Sequence, residues 1–359
     1  RELFSNNRIS IQYMFAPINL SFFFSPAMNT DASNNSNASS LFPTHCHRDT
    51  RIAEVVFPIL YSIVFFFGII MNSLSLWIFC HVPNNTVFII YLKNTLAADI
   101  IMTLTLPFKI LTDSGLASWK LKAVVCRYSA VIFYETMYIN IILLGLIGLD
   151  RFLKIARPLE NTWMKKKHVA KWISVAVWLS VFGLSLPNMV LSHEKATPST
   201  VRKCANLKNS LGLKWHAAVN YICQFIFWSV FLSMIIFYTI ITKKVYQSYA
   251  NSRSRNCRTR RNTKARVFIV VVVFFVCFAP YHFSRIPYTF SQTGLINKCS
   301  MQNKLFIAKE TTLWIATTNV CIDPLIYVLL CKPFRKLITD VIVSRNTNME
   351  TQIINESTL

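Results

Sequence analysis

The stretch CFAPYHFSRIPYTFSQT, residues 277–293, places polar and ionisable side chains directly after a long apolar run. Residues three and four positions apart share one face of a helix, so these side chains form a single stripe. The stripe contains Phe278, His282, Arg285, Tyr288 or Thr289, and Gln292. A guanidinium offers phosphate oxygens a planar fork, and a lysine such as Lys309 adds a compact positive charge. The stripe therefore predicts a site for an anionic ligand. The alternatives are an Arg285 that snorkels to the membrane interface and a His282 buried in the core.

The elements that must position this stripe are membrane helices. The chain has 359 residues, of which 53% are hydrophobic and 15% charged, and a mean hydropathy of +0.40, which indicates a membrane protein. Seven segments have the roughly 20 apolar residues that cross a bilayer as a helix. They are Val55–Phe79, Val87–Leu111, Tyr128–Leu149, Trp172–Ser192, Ala217–Thr242, Val267–Ser284 and Leu305–Cys331. We therefore predict an all-α membrane protein built as a seven-helix bundle.

The loops predict how the bundle lies in the membrane. The segment KKVYQSYANSRSRNCRTRRNTKAR, between spans five and six, holds nine Lys or Arg and no acid, and KKKH follows span three. The positive-inside rule makes these loops cytoplasmic. Asn34 and Asn37 stand in glycosylation sequons before span one, which requires an extracellular N-terminus. We expect an extracellular segment 1–52, a membrane domain 53–331 and a cytoplasmic segment 332–359.

The predicted outer surface is unusually basic for this topology. Arg285 and Lys309 are joined there by Lys120, Lys122, Lys195, Arg202, Lys203, Lys208, Lys214, Lys298 and Lys304. The positive-inside rule explains positive charge on the cytoplasmic side only, so it does not account for these residues. A ligand rich in negative charge would account for them. Tyr134 and Tyr138, and likewise His216 and Asn220, are four residues apart and share helix faces near this surface. For the two tyrosines, ordinary core packing is the alternative.

Four of the ten cysteines lie on the predicted outer, oxidising side, and four cysteines allow three pairings. Cys126 opens span three and Cys204 precedes span five, while Cys46 precedes span one and Cys299 precedes span seven. Spans one and seven are neighbours in a closed bundle. We therefore predict the disulfides Cys126–Cys204 and Cys46–Cys299.

Three polar residues lie deep within the predicted spans: Asn72, Asp99 and Asp323. An ionisable side chain at the bilayer centre costs about 2.5–3.5 kcal/mol on insertion scales, so both acids should face the bundle interior. The three residues could form buried hydrogen bonds alone, or they could meet at a hydrated cation site or a movable hinge. A hinge is suggested by Pro324, which removes one helix donor.

Beyond span seven, the sequence KPFRKLITDVIVSRN predicts an eighth, amphipathic helix on the membrane surface. Its apolar residues stand at helical spacing, at Phe334, Leu337, Ile338, Val341 and Ile342. The final STL fits a PDZ-binding carboxyl terminus weakly. The basic third cytoplasmic loop could serve anionic lipid or a partner protein, and nucleic-acid binding is not expected.

Several motifs resemble the rhodopsin-like G-protein-coupled receptors, in order across about residues 50–343. They are LAADI, Cys126, LDRFLKI, Trp178, CFAPYH and DPLIY. The resemblance implies a cytoplasmic lock of Asp150 and Arg151, rearrangement of Tyr238 and Tyr327 on activation, and a helix-six kink at Pro280. It also gives Asp323 a place in the switch. The chain departs from the commonest pattern at Phe152, Phe278, Asp323 and Val230, where Tyr, Trp, Asn and Pro are usual.

Within that class, the opening stretch together with FIAKETTLW, GLKWHAAVNYICQFIFW, VIFYETMYI and SLPNMVL resembles the P-two-Y purinoceptors, in particular their ADP-activated subgroup. The resemblance implies an extracellular nucleotide ligand and an inhibitory heterotrimeric G protein that lowers cAMP. It implies that Tyr134 stacks on adenine, that Asn188 hydrogen-bonds adenine, and that His216 and Asn220 contact ribose or phosphate. Rival ligands are nucleotide-sugars, lysophospholipids and peptides.

Other function classes fit the sequence less well. A transporter would show internal repeats and broken helices, and the chain has no such repeat. An enzyme would need a catalytic constellation, whereas the histidines here are dispersed. We expect no catalytic residue, no cofactor and no metal-dependent chemistry.

Overall fold

The computed structural model of the chain describes residues 51–83, 86–157, 162–202, 204–250, 257–292, 296 and 298–340, which contain helices and no strand. Seven helices are long and apolar enough to cross a membrane, which confirms the predicted bundle. They are α1 (Arg51–His81), α2 (Val87–Asp113), α3 (Trp119–Ala156), α4 (Lys167–Val190), α5 (Ser210–Ala250), α6 (Cys257–Gln292) and α7 (Cys299–Leu330). A short α8 follows at 332–340.

Helix α3 is the centre of the bundle. It packs against α2, α4 and α5 and also contacts α6. Two glycines allow its close approach to α5: a Cβ added at Gly145 would lie 2.8 Å from Val230, and one at Gly148 would lie 2.5 Å from the Met234 sulfur. Because contacts this short cannot be accommodated without movement, the small residues on α3 set the distance between the two helices.

The lateral surface of the bundle, formed by the sides of the helices that face away from its core, is apolar. Phe66 on α1, Trp172 on α4 and Phe225 on α5 are 58%, 72% and 73% exposed. Exposed aromatic side chains in such number are costly in water and favourable in lipid. The surface thus agrees with a bundle that is surrounded by membrane.

Helix α7 is interrupted at Thr318 and contains Pro324 in the part that follows. Proline has no N–H, so the carbonyl four residues before it, at Val320, loses its helical partner. Asn72 on α1 supplies the missing donor, because its Nδ2 lies 2.9 Å from the Val320 oxygen and also donates to Gly68. The deep Asn72 therefore repairs the proline defect and joins α1 to α7.

Helix α8 presents Phe334 to the bundle, where this ring is 2% exposed and lies 5.0 Å from the ring of Phe79. Leu337 and Ile338 pack on the same core, as the amphipathic pattern predicts. Several predicted features lie outside the described residues: Val341 and Ile342, the sequons at Asn34 and Asn37, and the carboxyl-terminal STL.

Candidate functional site

The predicted site residues lie at the end of the bundle that holds the Cys126–Cys204 disulfide, called the disulfide end below. This disulfide joins the first part of α3 to the segment between α4 and α5, with a Cα–Cα distance of 5.2 Å, and confirms the prediction. Arg127 adds a second tie by donating to the Glu194 carbonyl at 2.8 Å. Cys46 lies outside the described residues, so its pairing with Cys299 stays a prediction.

Arg285 is directed into the bundle. Its guanidinium donates to Asn220 Oδ1 on α5 at 3.0 Å and lies 5.6 Å from the centre of the Tyr288 ring. This geometry excludes the snorkelling alternative, because the side chain reaches across to another helix. No carboxylate in the described part of the chain lies within 4.0 Å of this guanidinium. Within the described residues, the guanidinium of Arg285 therefore has neutral partners and no ion-pair partner.

Aromatic rings and a histidine lie beneath Arg285. Tyr134 on α3 stacks on Tyr281 on α6, with ring centres 6.5 Å apart. The Tyr138 hydroxyl lies 3.2 Å from His282 Nε2, and His282 Nδ1 lies 2.8 Å from the Phe278 carbonyl. A carbonyl can only accept, so Nδ1 carries the proton and Nε2 of the neutral ring accepts from Tyr138. His282 is fully buried and stacked on Phe227 at 3.7 Å, which is the core alternative considered for it.

Lys208 and Asn188 form a further contact at this end. Lys208 precedes α5 and donates to the Asn188 side-chain oxygen on α4 at 2.8 Å. Burial lowers the pKa of the Lys208 ammonium to about 8, because the charged form loses hydration. His216 is half-buried on α5 near the same region. Gln292 ends α6, and its side chain lies outside the described residues.

Lys309 faces the site from α7, which packs along α6. Its ammonium lies 5.2 Å from the Tyr288 ring centre and contacts the carboxylate of Glu310. The sequence reasoning missed Glu310, and it also missed Lys109 on α2, whose ammonium lies 3.7 Å from Glu310. Tyr281 was missed as well. Lys109 stands among apolar residues near the end of a predicted span, and Glu310 directly follows Lys309 near the start of another; charge inside a predicted span was the signal for both.

The opposite end of the bundle carries the residues expected to act in activation. Asp150 does not pair with Arg151 as the lock predicts, because Lys154 one turn later occupies its carboxylate at 2.8 Å. Arg151 instead lies over the ring of Phe88 on α2, at 3.6 Å. Tyr238 on α5 is buried, and its hydroxyl has no hydrogen-bond partner among the described residues. No ion pair between Asp150 and Arg151 is present within the described residues, and their role as a cytoplasmic lock stays a prediction.

The deep polar residues meet between the two ends. Asp99 accepts from Asn140 at 2.7 Å and from Tyr327 at 3.1 Å, and Asp323 accepts from Asn319 at 2.9 Å. Around them, buried oxygens lack a partner within the described part of the chain, on Asn72, Ser75, Asn140, Asn319 and Asp323. Acceptor oxygens suit a hydrated cation, so cation binding here stays a prediction, although the described residues hold no cluster of three metal-binding side chains.

Comparison with known proteins agrees with this geometry. The family profile described as "7 transmembrane receptor (rhodopsin family)" matches residues 71–327. The chain is 59% identical over 308 residues to P-two-Y purinoceptor 13 of Homo sapiens, covering 86% of each protein. It is 46% identical over 304 residues to P-two-Y purinoceptor 14 of Bos taurus, covering 84% of this chain and 90% of that relative.

A further relative is G-protein coupled receptor 87 of Mus musculus, which is 40% identical over 286 residues, 80% of each chain. These relatives are receptors, which confirms the expectation that the chain is not an enzyme. Seven membrane-length helices and this kinship make it a multi-pass protein of the plasma membrane. The chain belongs to the rhodopsin family of seven-transmembrane receptors, within the group of the P-two-Y purinoceptors.

Proposed function

We propose that this receptor responds to an extracellular nucleotide, with ADP as the first candidate, and signals through an inhibitory heterotrimeric G protein to lower cAMP. In this proposal the N-terminus and the disulfide end face the outside, and the C-terminus faces the cytoplasm. The names of the relatives, which are purinoceptors, support the ligand class. The positive charge of the loops at the opposite end supports the orientation.

One observation carries the proposal: Arg285 lies inside the disulfide end with a neutral amide as its hydrogen-bond partner. Taking a guanidinium out of water without a counter-ion is energetically costly. A negatively charged ligand would supply the missing counter-ion. The fork of Arg285 would bind one phosphate group, and Tyr288 and Lys309 border the same position. An uncharged ligand would leave this cation uncompensated.

The base and ribose of the nucleotide would contact residues that lie beneath Arg285 and beside it. Tyr134 would stack on the base, and Asn188, held by Lys208, would hydrogen-bond it. His216 and Asn220 would contact ribose or phosphate, and Gln292 would border the entrance. Tyr138 and His282 support the floor of this site through their mutual hydrogen bond.

Coupling to the G protein would use the opposite end of the bundle. Arg151, released from Phe88, would contact the G protein, while Tyr238 and Tyr327 rearrange and α6 swings at Pro280. Asp150 and Asp323 would bias this change. Basic residues of the third cytoplasmic loop would meet membrane lipid or the G protein, and a PDZ protein is a further candidate partner at the C-terminus.

A ligand panel on transfected cells tests the proposal. ADP, a nucleotide-sugar, a lysophospholipid and adenosine are compared by the fall in forskolin-raised cAMP, with pertussis-toxin treatment as the coupling control. We expect a saturable response to ADP that the toxin abolishes and no response to adenosine. A response confined to the nucleotide-sugar or the lysophospholipid would favour those ligands instead. A substrate flux without any change in cAMP would favour a transporter.

A further inference from the structure

Four charged side chains from two helices form a chain of contacts beside the candidate site. Asp113 lies 2.9 Å from Lys109, Lys109 lies 3.7 Å from Glu310, and Glu310 contacts Lys309. We call these four residues the acid–lysine chain. The side chains of Lys309 and Glu310 are 8% and 13% exposed. Two acids and two lysines balance, so the formal charge of the chain is zero.

Arg285 and Lys309 border the candidate ligand position, and they differ in the charge of their partners. Arg285 is held by the neutral Asn220, whereas Lys309 is neutralised by Glu310. Both cations lie within 6 Å of the centre of one ring, that of Tyr288, at 5.6 and 5.2 Å. An anion that binds both cations must then lie close to the Glu310 carboxylate, because that carboxylate already occupies the Lys309 ammonium.

We propose that Glu310 limits the affinity of the receptor for doubly charged ligands by competing with them for Lys309. This inference rests on the proposed function, since it takes a nucleoside diphosphate as the ligand. One phosphate binds Arg285, and the other takes Lys309 from Glu310. The displaced carboxylate has a second partner within reach, because Lys109 lies 3.7 Å away. Glu310 is thus a residue that determines specificity through its exchange between two lysines.

The exchange carries a cost that depends on the charge of the ligand. Like charges in a partly buried site repel strongly, and the repulsion from Glu310 grows with each negative charge that approaches it. Removing the carboxylate should therefore raise the affinity for a diphosphate most, for a monophosphate less and for a neutral nucleoside not at all. A carboxylate that merely positioned Lys309 would give the opposite result.

The test is competition binding on membranes that carry the full receptor, with ADP, AMP and adenosine as probes. Glu310→Gln should tighten ADP binding about fivefold or more, the scale of coupling between neighbouring groups, with a smaller gain for AMP. Asp113→Asn is the matched control, because it removes the same charge from the same chain, and within the described residues its ion pair is with Lys109 and not with Lys309. It should leave ADP affinity within about twofold of wild type.

A second variant covers the case in which Glu310→Gln does not reach the surface. Glu310→Asp keeps the charge and shortens the reach to Lys309, so it should also tighten ADP binding, by a smaller factor. Unchanged or weaker ADP binding in a correctly displayed Glu310 variant overturns the inference. An equal gain in Asp113→Asn overturns it as well, because the effect would then be one of general charge. If wild-type receptor does not bind ADP saturably, the proposed function itself fails, and the two failures are thereby distinguished.

Discussion

At the scale of single residues, the disulfide end holds three cations that differ in their partners and in their chemical type. Arg285 has a neutral partner, Lys309 has a carboxylate, and Lys208 is held by an amide and partly buried. The charge of a lysine depends on its surroundings, whereas a guanidinium keeps its proton. Burial lowers the pKa of Lys208 to about 8, so the charge of this side chain can change near physiological pH.

The first prediction concerns the pH dependence of ligand binding through Lys208. Its pKa is lowered to about 8 in the free receptor, and the negative charge of a nucleotide bound nearby would favour the charged form and raise that pKa. Nucleotide affinity should thus be highest below about pH 7 and should fall as pH rises through 8. The measurement is ADP binding to membranes between about pH 7 and 9.5, which brackets that pKa. Lys208→Arg, which stays charged, should flatten the fall, and an equally steep fall in this variant would contradict the assignment.

At the scale of helices, the packing of α3 on α5 depends on small residues. The methyl groups of Val230 on α5 face Gly145 on α3. A β-branched side chain has little rotamer freedom with which to move aside. Gly148, by contrast, faces the flexible Met234, which can move. The branched side chain of Val230 is therefore accommodated by the absence of a Cβ at Gly145.

The second prediction is that Gly145→Ala destabilises the receptor by about 1–3 kcal/mol, the usual cost of an overpacked core. The matched control is Gly183→Ala on α4, where an added Cβ meets nothing within 4 Å. This control should be neutral or should stabilise by about 0.5–1 kcal/mol, because alanine is the better helix former. The readout is the apparent melting temperature of detergent-solubilised receptor. Val230→Ala should rescue Gly145→Ala, and a failure of this rescue would contradict the packing account.

The apolar runs were sufficient to predict the seven helices, but the ends of the helices were not visible in them. Helix α3 begins at Trp119 instead of Tyr128, because a serine cap at Ser118 starts a charged turn that hydropathy does not detect. Helix α6 likewise runs past the predicted Ser284 and carries Arg285 within it. A helix can continue beyond the apolar core of a membrane, so hydropathy marks the membrane and not the helix.

Pairings between distant residues were harder to predict than the residues themselves. Arg285 could be recognised from its stripe, but its partner Asn220 could not, since that contact depends on how α5 and α6 pack. Lys154 competes with Arg151 for Asp150 because helical spacing of four favours it, and this could have been read from the sequence. The contact of Lys109 with Glu310 had no comparable local signal.

At the scale of the whole molecule, ligand capture and coupling occupy opposite ends of the bundle. Arg285 lies near the end of α6 at the disulfide end, while Arg151 lies near the end of α3 at the other. A helix rises 1.5 Å per residue, so about 20 residues of α3 separate the ends by roughly 30 Å. The polar cluster of Asp99 and Asp323 lies between them and joins α2, α3 and α7.

The third prediction follows from this separation. Arg151→Ala should keep nucleotide affinity within about threefold of wild type, because Arg151 is far from the ligand site and lies over Phe88 instead, and should lose the agonist-driven fall in cAMP. Phe88→Leu, which removes the ring beneath the guanidinium, should raise basal signalling while Arg151 is intact. Binding and cAMP are measured on the same cells at equal surface expression. Loss of binding in displayed Arg151→Ala receptor would contradict the separation of roles.

The central claim is that Arg285 binds the phosphate of the ligand, and one dose–response series tests it most directly. ADP is titrated on wild type, Arg285→Ala, Arg285→Lys and Lys298→Ala at equal surface expression. A charge-assisted hydrogen bond is worth about 1.5–3 kcal/mol, so Arg285→Ala should lose about ten- to a hundredfold in potency. Arg285→Lys should also lose potency, because a point charge does not reproduce the fork. The exposed Lys298 should matter little, and mainly at low salt. If Arg285→Ala matched wild type while Lys298→Ala did not, the phosphate site would lie in the loops and the claim would be wrong.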